Sequence, residues 1–267
     1  MTPSSGILTQ ILEAYTSLFS AGIGSVTINA MSMLQILTVF AIILTGIGMM
    51  YGYMNVNDGF FKIIKVGGII YIITSYNFLI TTLLEGYVYL GNKAGGGSIA
   101  PVLMDDPSAI AELGIKMVEP LLSQIEGISI AFNLPGVVYS IVSAFIIILS
   151  FFAIGVRMFL VYIAFYTIAV LGLIFLPFAA ISYTRALAED VISGLMKEGF
   201  KFMVLSFIVG VMQSFVKTWE VPPVFEFGDL SFMWLGTLTL AFLSWYLPGV
   251  IANFFSGRIQ LIGRGVK

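Results

Sequence analysis

The sequence predicts an all-α integral membrane protein, with about five or six transmembrane helices, an N-terminal amphipathic helix and a periplasmic amphipathic helix. Hydrophobic residues make up 59% of the 267 residues and charged residues only 10%, whereas roughly a quarter of a soluble domain is charged. A spanning helix needs about 20 apolar residues. Five uncharged stretches approach or exceed that length: residues 14–57, 66–84, 127–156, 158–184 and 230–257.

Residues 1–30 are predicted to be an amphipathic periplasmic segment that does not cross the membrane. Within residues 5–20 the apolar side chains recur at helical spacing, but a helix of this length is too short to span a bilayer. The apolar face consists of Ile7, Leu8, Ile11, Leu12, Tyr15, Leu18 and Phe19.

Residues 31–92 are predicted to hold the first two transmembrane helices. The first covers residues 34–54, and the cluster Asn-Val-Asn-Asp-Gly that follows it is typical of a turn. Asp58 can cap the second helix, which is expected to run to about residue 90.

Residues 93–135 are predicted to form a periplasmic loop with an amphipathic helix. Pro107 directly after Asp106 is a strong start signal, and Pro120 is expected to kink or split the helix. Its apolar stripe is a candidate docking surface for a neighbouring subunit or a stalk; alternatively, the stripe lies on the membrane or on this subunit's own spans. The stripe consists of Ile110, Leu113, Met117, Leu121 and Ile125.

Residues 136–257 are predicted to form a C-terminal transmembrane bundle, followed by a basic cytoplasmic tail at 258–267. The stretch 136–181 is largely apolar and carries one charge, Arg157, and as one helix it would be about 69 Å long, over twice the thickness of the hydrocarbon core. Two alternatives are open. The stretch is a hairpin of two spans that turns near Gly155, or one span with a bent, partly re-entrant extension.

The remainder of the bundle is predicted to be a connecting helix and two further spans. Residues 182–201 hold three basic and three acidic residues and are typical of an amphipathic helix. A span follows at about residues 200–215, and the last span covers residues 231–247 and ends at Pro248.

The distribution of Lys and Arg favours a single crossing by residues 136–181. Eight basic residues then lie on one side of the membrane and three on the other, with Arg157 left inside the apolar stretch. Because basic residues concentrate on the cytoplasmic side, the amino terminus is predicted to be periplasmic and the carboxyl terminus cytoplasmic.

Two charged residues in apolar surroundings are candidate interface or channel residues, since charges inside a membrane usually face protein or water. Glu85 could contact another subunit or line a channel mouth; alternatively, it lies at headgroup depth beside Tyr87 and Tyr89. Arg157 either marks an elbow at the interface or faces a polar lumen. Four glycines could allow close helix packing, within one subunit or between subunits: Gly46, Gly48, Gly67 and Gly68.

The composition argues against catalysis. The chain has no histidine and no cysteine, which removes the commonest metal ligand and the catalytic pairs built on these residues. The glycine-rich residues 94–98 lack the Gly-Lys-Ser/Thr of a phosphate-binding loop, and the net charge of −2 provides no basic surface for nucleic acid. We predict no enzyme activity, no cofactor and no direct sequence-specific nucleic-acid binding.

Three segments carry a family resemblance: DPSAIAELGIKM, FAAISYTRALAEDVISGLMKEGFKFMVLSFIVG and LPGVIANFFSG. In this order they resemble the TrbL-type proteins, which are polytopic inner-membrane subunits of bacterial type IV secretion and conjugation systems. The first resembles an Asp-Pro-Ser that leads into an amphipathic helix. The second resembles a Phe, Thr, Ala and Gly-x-Lys pattern before a span, and the third resembles the closing segment. The resemblance covers roughly residues 30–257.

The resemblance implies a structural, non-catalytic subunit of the bacterial inner membrane. Such a subunit forms a homo-oligomeric, ring-like platform at the base of the stalk and pilus, with a pentamer as the expected form. Its expected partners are itself, the stalk minor pilin, the pilin, other secretion-channel subunits, separate secretion ATPases and the lipid bilayer. It would help a protein or a relaxase-bound DNA strand to cross the envelope.

The alternative function is a small secondary transporter or channel. That function predicts inverted repeats and interrupted helices around a midplane site. The sequence has no convincing internal repeat and no pair of intramembrane acids, so the secretion subunit is preferred.

Overall fold

The computed structural model describes residues 6–96, 106–127, 134–217 and 227–255, and within these ranges the chain is helical and contains no strand. The described residues form α1 (Ile7–Met50), α2 (Val56–Thr74), α3 (Tyr76–Ala94), α4 (Pro107–Gly127), α5 (Leu134–Gly172), a 3-10 helix (Leu176–Ala180), α6 (Arg185–Lys217) and α7 (Phe227–Phe255). The predicted fold class, an all-α membrane protein, is confirmed.

Four helices, α1, α5, α6 and α7, are each long and apolar enough to cross a membrane. Helices α2 and α3 together make a fifth candidate span, which is bent by 74°. The described residues therefore hold four to five candidate spans, compared with the five or six that the sequence predicts.

Helix α1 joins two elements that the sequence analysis treats as separate. It runs through the predicted amphipathic segment and the first predicted span as one helix of 44 residues. The Ser and Thr residues between the two predicted elements do not interrupt the helix, because their hydroxyl groups bond to backbone carbonyls of the same helix. Thr27, for example, donates to the Ile23 carbonyl at 2.6 Å. At roughly 66 Å, α1 is longer than a bilayer is thick, so one helix can hold both a spanning and a non-spanning part.

The turn between α1 and α2 lies at residues 51–55, just before most of the predicted cluster 55–59, because α1 ends at Met50 and α2 already begins at Val56. Gly52 has a φ of +73°, which glycine adopts without a steric penalty, and the Gly48 carbonyl accepts a hydrogen bond from the Tyr53 N–H at 2.9 Å. Asp58 accepts a hydrogen bond from the Asn55 N–H at 2.8 Å, and this confirms its predicted role as a cap of α2.

The second predicted span is bent where α2 meets α3. The Tyr76 side chain, at the first position of α3, is buried. Its hydroxyl donates to the Ala169 carbonyl of α5 at 2.8 Å. This bond anchors the start of α3 to a residue far along the sequence, so no local pattern could have predicted where the helix bends.

Residues 136–181 do not form a hairpin. Helix α5 continues without a break through Gly155 and Arg157, where the hairpin would turn. A Cβ at position 155 would lie 2.7 Å from the Pro107 carbonyl oxygen, so this glycine allows α4 to approach α5 closely. Pro177 lies in the 3-10 helix that follows α5. One long helix with a short extension is the second of the two alternatives.

Neither Pro120 nor Pro248 interrupts its helix, and one predicted junction between helices is continuous. Helix α4 is not split at Pro120, and α7 continues past Pro248 to Phe255. Pro248 lies in a candidate span, and prolines are tolerated inside membrane helices, where local adjustments and neighbouring groups satisfy the freed carbonyl. The predicted connecting helix and the span after it are likewise one helix, α6.

The chain divides into two compact units. The first comprises Met1–Glu13, Gly86–Tyr162 and Phe200–Asn253, and the second Ala14–Glu85, Ile163–Gly199 and Phe254–Lys267. Each has its own apolar core. Ile147, Phe151 and Phe202 are fully buried in the first unit, and Leu34, Ile73 and Phe165 in the second.

Candidate functional site

A polar network in the first unit ties the start of α4 to the start of α1. The Asp106 carboxylate accepts hydrogen bonds from the backbone N–H groups of Ser108 and Ala109 at 3.0 and 3.1 Å, which is the helix cap that the sequence predicts. The Thr9 hydroxyl donates to the same carboxylate, and the Thr9 N–H donates to the Ser108 hydroxyl at 3.1 Å. A Cβ on Gly6 would lie 2.4 Å from the Ser108 Cβ, so only glycine fits there.

The predicted docking stripe of α4 is largely buried inside the chain itself. Three of its side chains have almost no exposed surface: Ile110 at 0%, Met117 at 8% and Leu121 at 1%. Leu113 is half-buried, and the side chain of Ile125 lies outside the described residues. A Cβ on Gly114 would lie 2.7 Å from the Phe151 Cβ of α5. This burial favours the stated alternative, in which the stripe packs on the subunit's own helices.

The opposite side of α4 is exposed and mixes apolar with charged residues. Ile115 and Leu122 are 55% and 46% exposed and lie two helical turns apart on one face, with the exposed Glu119 between them. Glu112 and Lys116 are exposed as well. This surface could not be predicted from the sequence, because the stronger apolar periodicity belongs to the face that packs internally.

Arg157 contacts an aromatic ring in the first unit. Its Cζ lies 5.3 Å from the centroid of the Trp245 ring of α7, within the range of a cation–π interaction, and the Trp245 indole N–H donates to the Ala153 carbonyl at 3.3 Å. Arg157 has no carboxylate partner among the described residues, and its Nε is buried without an acceptor there. No elbow exists at Arg157, so that hypothesis is wrong; a role at an interface or lumen stays a prediction.

Glu85 lies on the exposed side of α3. Leu84 and Tyr87, its neighbours on the helix, are buried, and the carboxylate forms no ion pair within the described ranges. This position is compatible with both stated alternatives, a contact with another subunit and a location among lipid headgroups.

Two glycines that the sequence analysis did not single out bring α3 against α6. A Cβ on Gly91 would lie 2.1 Å from the Met203 carbonyl oxygen, and one on Gly95 would lie 2.5 Å from the Phe207 carbonyl oxygen. Glycines four residues apart are a known signal for close packing in membranes. By contrast, an added Cβ at Gly46, Gly67 or Gly68 meets nothing within 4 Å.

These contacts also define helix directions inside each unit. In the first unit, positions 91 and 95 of α3 meet positions 203 and 207 of α6, so the two helices are parallel. Helices α5 and α7 are parallel too: the Tyr139 hydroxyl contacts the Ser231 hydroxyl at 2.5 Å, and Ala153 accepts the bond from Trp245.

In the second unit, α5 and α6 run in opposite directions. A Cβ on Gly172 would lie 2.4 Å from Val191 Cγ1, and one on Gly194 would lie 3.5 Å from Ile168 Cγ2. An ion pair between Arg185 and Glu189, at 2.7 Å, lies near the start of α6.

The described residues contain no group of three or more metal-ligating side chains that could hold an ion. They contain one bent helix pair, α2 with α3, whereas a transporter is expected to have interrupted helices in both of its repeats. The arrangement is that of a multi-pass helical membrane protein in which the glycines and the hydrogen-bonded polar side chains described above serve helix packing.

A family model described as TrbL/VirB6 plasmid conjugal transfer protein matches residues 38–247, more than half of the chain. A comparison with individually curated proteins finds no match. The chain belongs to the TrbL/VirB6 family and is a component of a conjugal transfer or type IV secretion system. The resemblance stated from the three sequence segments is confirmed.

Proposed function

We propose that this chain is a structural, non-catalytic subunit that forms an oligomeric platform in the bacterial inner membrane, at the base of the stalk and pilus. The observation that carries the proposal is the family match over residues 38–247. The platform is a ring of identical subunits, for which the family resemblance implies a pentamer, and it contacts the stalk minor pilin, the pilin and other channel subunits. Separate ATPases supply the energy, and the ring helps a protein or relaxase-bound DNA to cross.

The proposed topology has five crossings, a periplasmic amino terminus and a cytoplasmic carboxyl terminus. Its spans are α1, the bent pair α2–α3, α5, α6 and α7. If α5 crosses once, α3 and α6 both run from the cytoplasmic to the periplasmic side and must be parallel, which agrees with their contacts. A hairpin within residues 136–181 would reverse α6. The eight-to-three distribution of basic residues supports the absolute orientation.

The exposed face of α4 is proposed to contact another component of the apparatus. Ile115 and Leu122 expose apolar surface next to charged residues, a combination typical of the rim and core of a protein interface. The internal stripe and the Asp106 cap fix α4 on its own subunit, so this face is presented in one orientation. A rigid surface binds with a smaller entropic cost than a flexible loop.

The test combines an oligomer measurement with a transfer assay. The wild-type chain, purified in detergent, is expected to have a mass of several subunits by native mass spectrometry. Ile115→Asp with Leu122→Asp should leave abundance near the wild-type level and abolish either the oligomer or the transfer of DNA or protein. Loss of the oligomer would identify the partner as a neighbouring copy, and loss of transfer alone would identify the stalk.

The matched control removes charge from the same helix without touching apolar residues. Glu112→Gln with Glu119→Gln should assemble and transfer like the wild type, because exposed charges contribute little to stability. A wild-type chain that remains monomeric under all mild detergent conditions contradicts the platform. Normal assembly and transfer by the double-aspartate variant contradicts the docking role of α4.

A further inference from the structure

An apolar groove lies between α1 and α2 in the second unit. Its volume is about 620 Å³, within the usual range for sites that bind small molecules. It is open at the surface of the unit, because wall residues such as Ile42, Phe60 and Ile63 are more than half exposed. Gly46 and Gly67 widen it, since nothing lies within 4 Å of a Cβ placed at either position.

Lys62 is the one charged residue among those that line this groove. Its Nζ donates to the Thr45 hydroxyl at 2.7 Å and lies 3.8 Å from the Met54 sulfur. Both partners are neutral, and Lys62 forms no ion pair with any described residue. An ammonium group has three donors, and a charge in apolar surroundings is costly unless an opposite charge balances it.

The charged groups around the groove do not supply that balance. Lys65 lies one turn further along α2, and Arg185 and Glu189 are within electrostatic range of it. Glu189 is paired with Arg185, and Asp58 is engaged in capping α2. The two nearby carboxylates therefore already have partners, and the groove has an excess of positive charge.

We propose that this groove binds an anionic phospholipid, with an acyl chain against the apolar walls and the headgroup phosphate paired with Lys62. Lys62 lies in the second turn of α2, beside the turn that connects α1 to α2. A basic residue near the end of a spanning helix lies at the depth of the headgroups. The surrounding bilayer supplies such a lipid, and its phosphate matches the unbalanced ammonium. The inference does not depend on the oligomeric platform.

The test measures lipid binding by the full chain, purified in detergent and stripped of lipid. Dioleoyl-phosphatidylglycerol and dioleoyl-phosphatidylcholine are added in mixed micelles, and native mass spectrometry counts the lipids retained while melting is followed in parallel. The wild type is expected to retain phosphatidylglycerol preferentially and to melt at a higher temperature with it. Glycerol 3-phosphate, which has the phosphate but no acyl chain, should not raise the melting temperature.

Two variants, each with a matched control, test the two halves of the site. Lys62→Gln should weaken retention of phosphatidylglycerol by roughly fivefold, the factor expected for one lysine near an anionic surface, whereas Lys93→Gln, at an exposed position of α3, should not. Gly67→Leu should fill the groove and reduce retention of both lipids, whereas Gly68→Leu, which is not in the groove wall, should not.

Three outcomes would overturn the proposal. The first is a wild type with no preference for phosphatidylglycerol, and the second is equal retention by each variant and its control. The third is a Gly67→Leu variant that retains lipid normally but changes its oligomeric mass, because the groove would then hold a protein segment of a second copy.

Discussion

The contact between α3 and α6 makes a specific prediction about Gly91. In Gly91→Ala the new Cβ would lie 2.1 Å from the Met203 carbonyl oxygen and 2.6 Å from the Ser206 Cβ. Because the nearest atom belongs to the backbone, rotating a side chain cannot relieve this clash, and the two helices must move apart. Overpacking of this kind costs about 1–3 kcal/mol, and here the upper end applies.

The same substitution also stabilises the helix itself, and this gain must be subtracted from the cost of overpacking. Alanine is roughly 0.5–1 kcal/mol better than glycine inside a helix, so the net loss for Gly91→Ala is about 2 kcal/mol. For a chain of this size, that corresponds to a fall of roughly 4–8 °C in melting temperature. Gly86→Ala, on the same helix with nothing within 4 Å of the new Cβ, should not lower it.

The assay heats purified protein in detergent for a fixed time and measures the fraction that still elutes as a folded species. A fixed heating time is needed because membrane proteins often unfold irreversibly, and the measured midpoint then depends on how long the sample is heated. Conjugal transfer by cells carrying each variant provides the functional measurement. If Gly91→Ala and Gly86→Ala have the same midpoint, α3 and α6 do not approach as closely as the contact requires, and the argument for their pairing is refuted.

Three further predictions concern topology, Arg157 and the α4 cap. In this cysteine-free chain, Lys116→Cys should react with an impermeant thiol reagent in intact cells whose outer membrane is permeable to it, and Tyr53→Cys should react only after lysis; the reverse pattern contradicts the orientation. Arg157→Lys should keep the contact with Trp245 and transfer normally, whereas Arg157→Leu should reduce assembly, because a cation–π pair contributes about 0.5–2 kcal/mol; normal assembly of the leucine variant would show that the charge has no role. Asp106→Ala should lower stability by about 1 kcal/mol, measured as a lower melting midpoint, and an unchanged midpoint would show that the cap is dispensable.

The fold class could be predicted from the sequence because the long uncharged stretches leave no other place for these residues than a membrane. The start of α4 and the cap of α2 could be predicted as well, since both depend on side chains that act within a few residues of where they stand. Asp106 and Asp58 each accept a backbone hydrogen bond in the structure. Features of this kind require no knowledge of the rest of the fold.

Local patterns left the hairpin alternative for residues 136–181 open, although the distribution of basic residues favoured a single crossing. A glycine followed two positions later by an arginine is compatible with a turn, but glycine is equally suited to a close approach between helices. At Gly155 the close approach applies, because the Pro107 carbonyl of α4 lies against this position. The same limit affects the stripe of α4: amphipathicity shows that Ile110 and Leu121 will be covered, but only the folded chain shows that its own residues cover them.

The network around Asp106 also supports the number of crossings in the proposed topology. Because Thr9 is hydrogen-bonded to Asp106, the beginning of α1 and the beginning of α4 lie on the same side, and an even number of crossings must separate them. In the proposed topology α1 is one crossing, so α2 and α3 together make one more. If each of them crossed completely, Thr9 and Asp106 would lie on opposite sides. The proposed topology, in which the 74° bend divides a single span and the chain crosses five times, agrees with this contact and with the parallel pairing of α3 with α6.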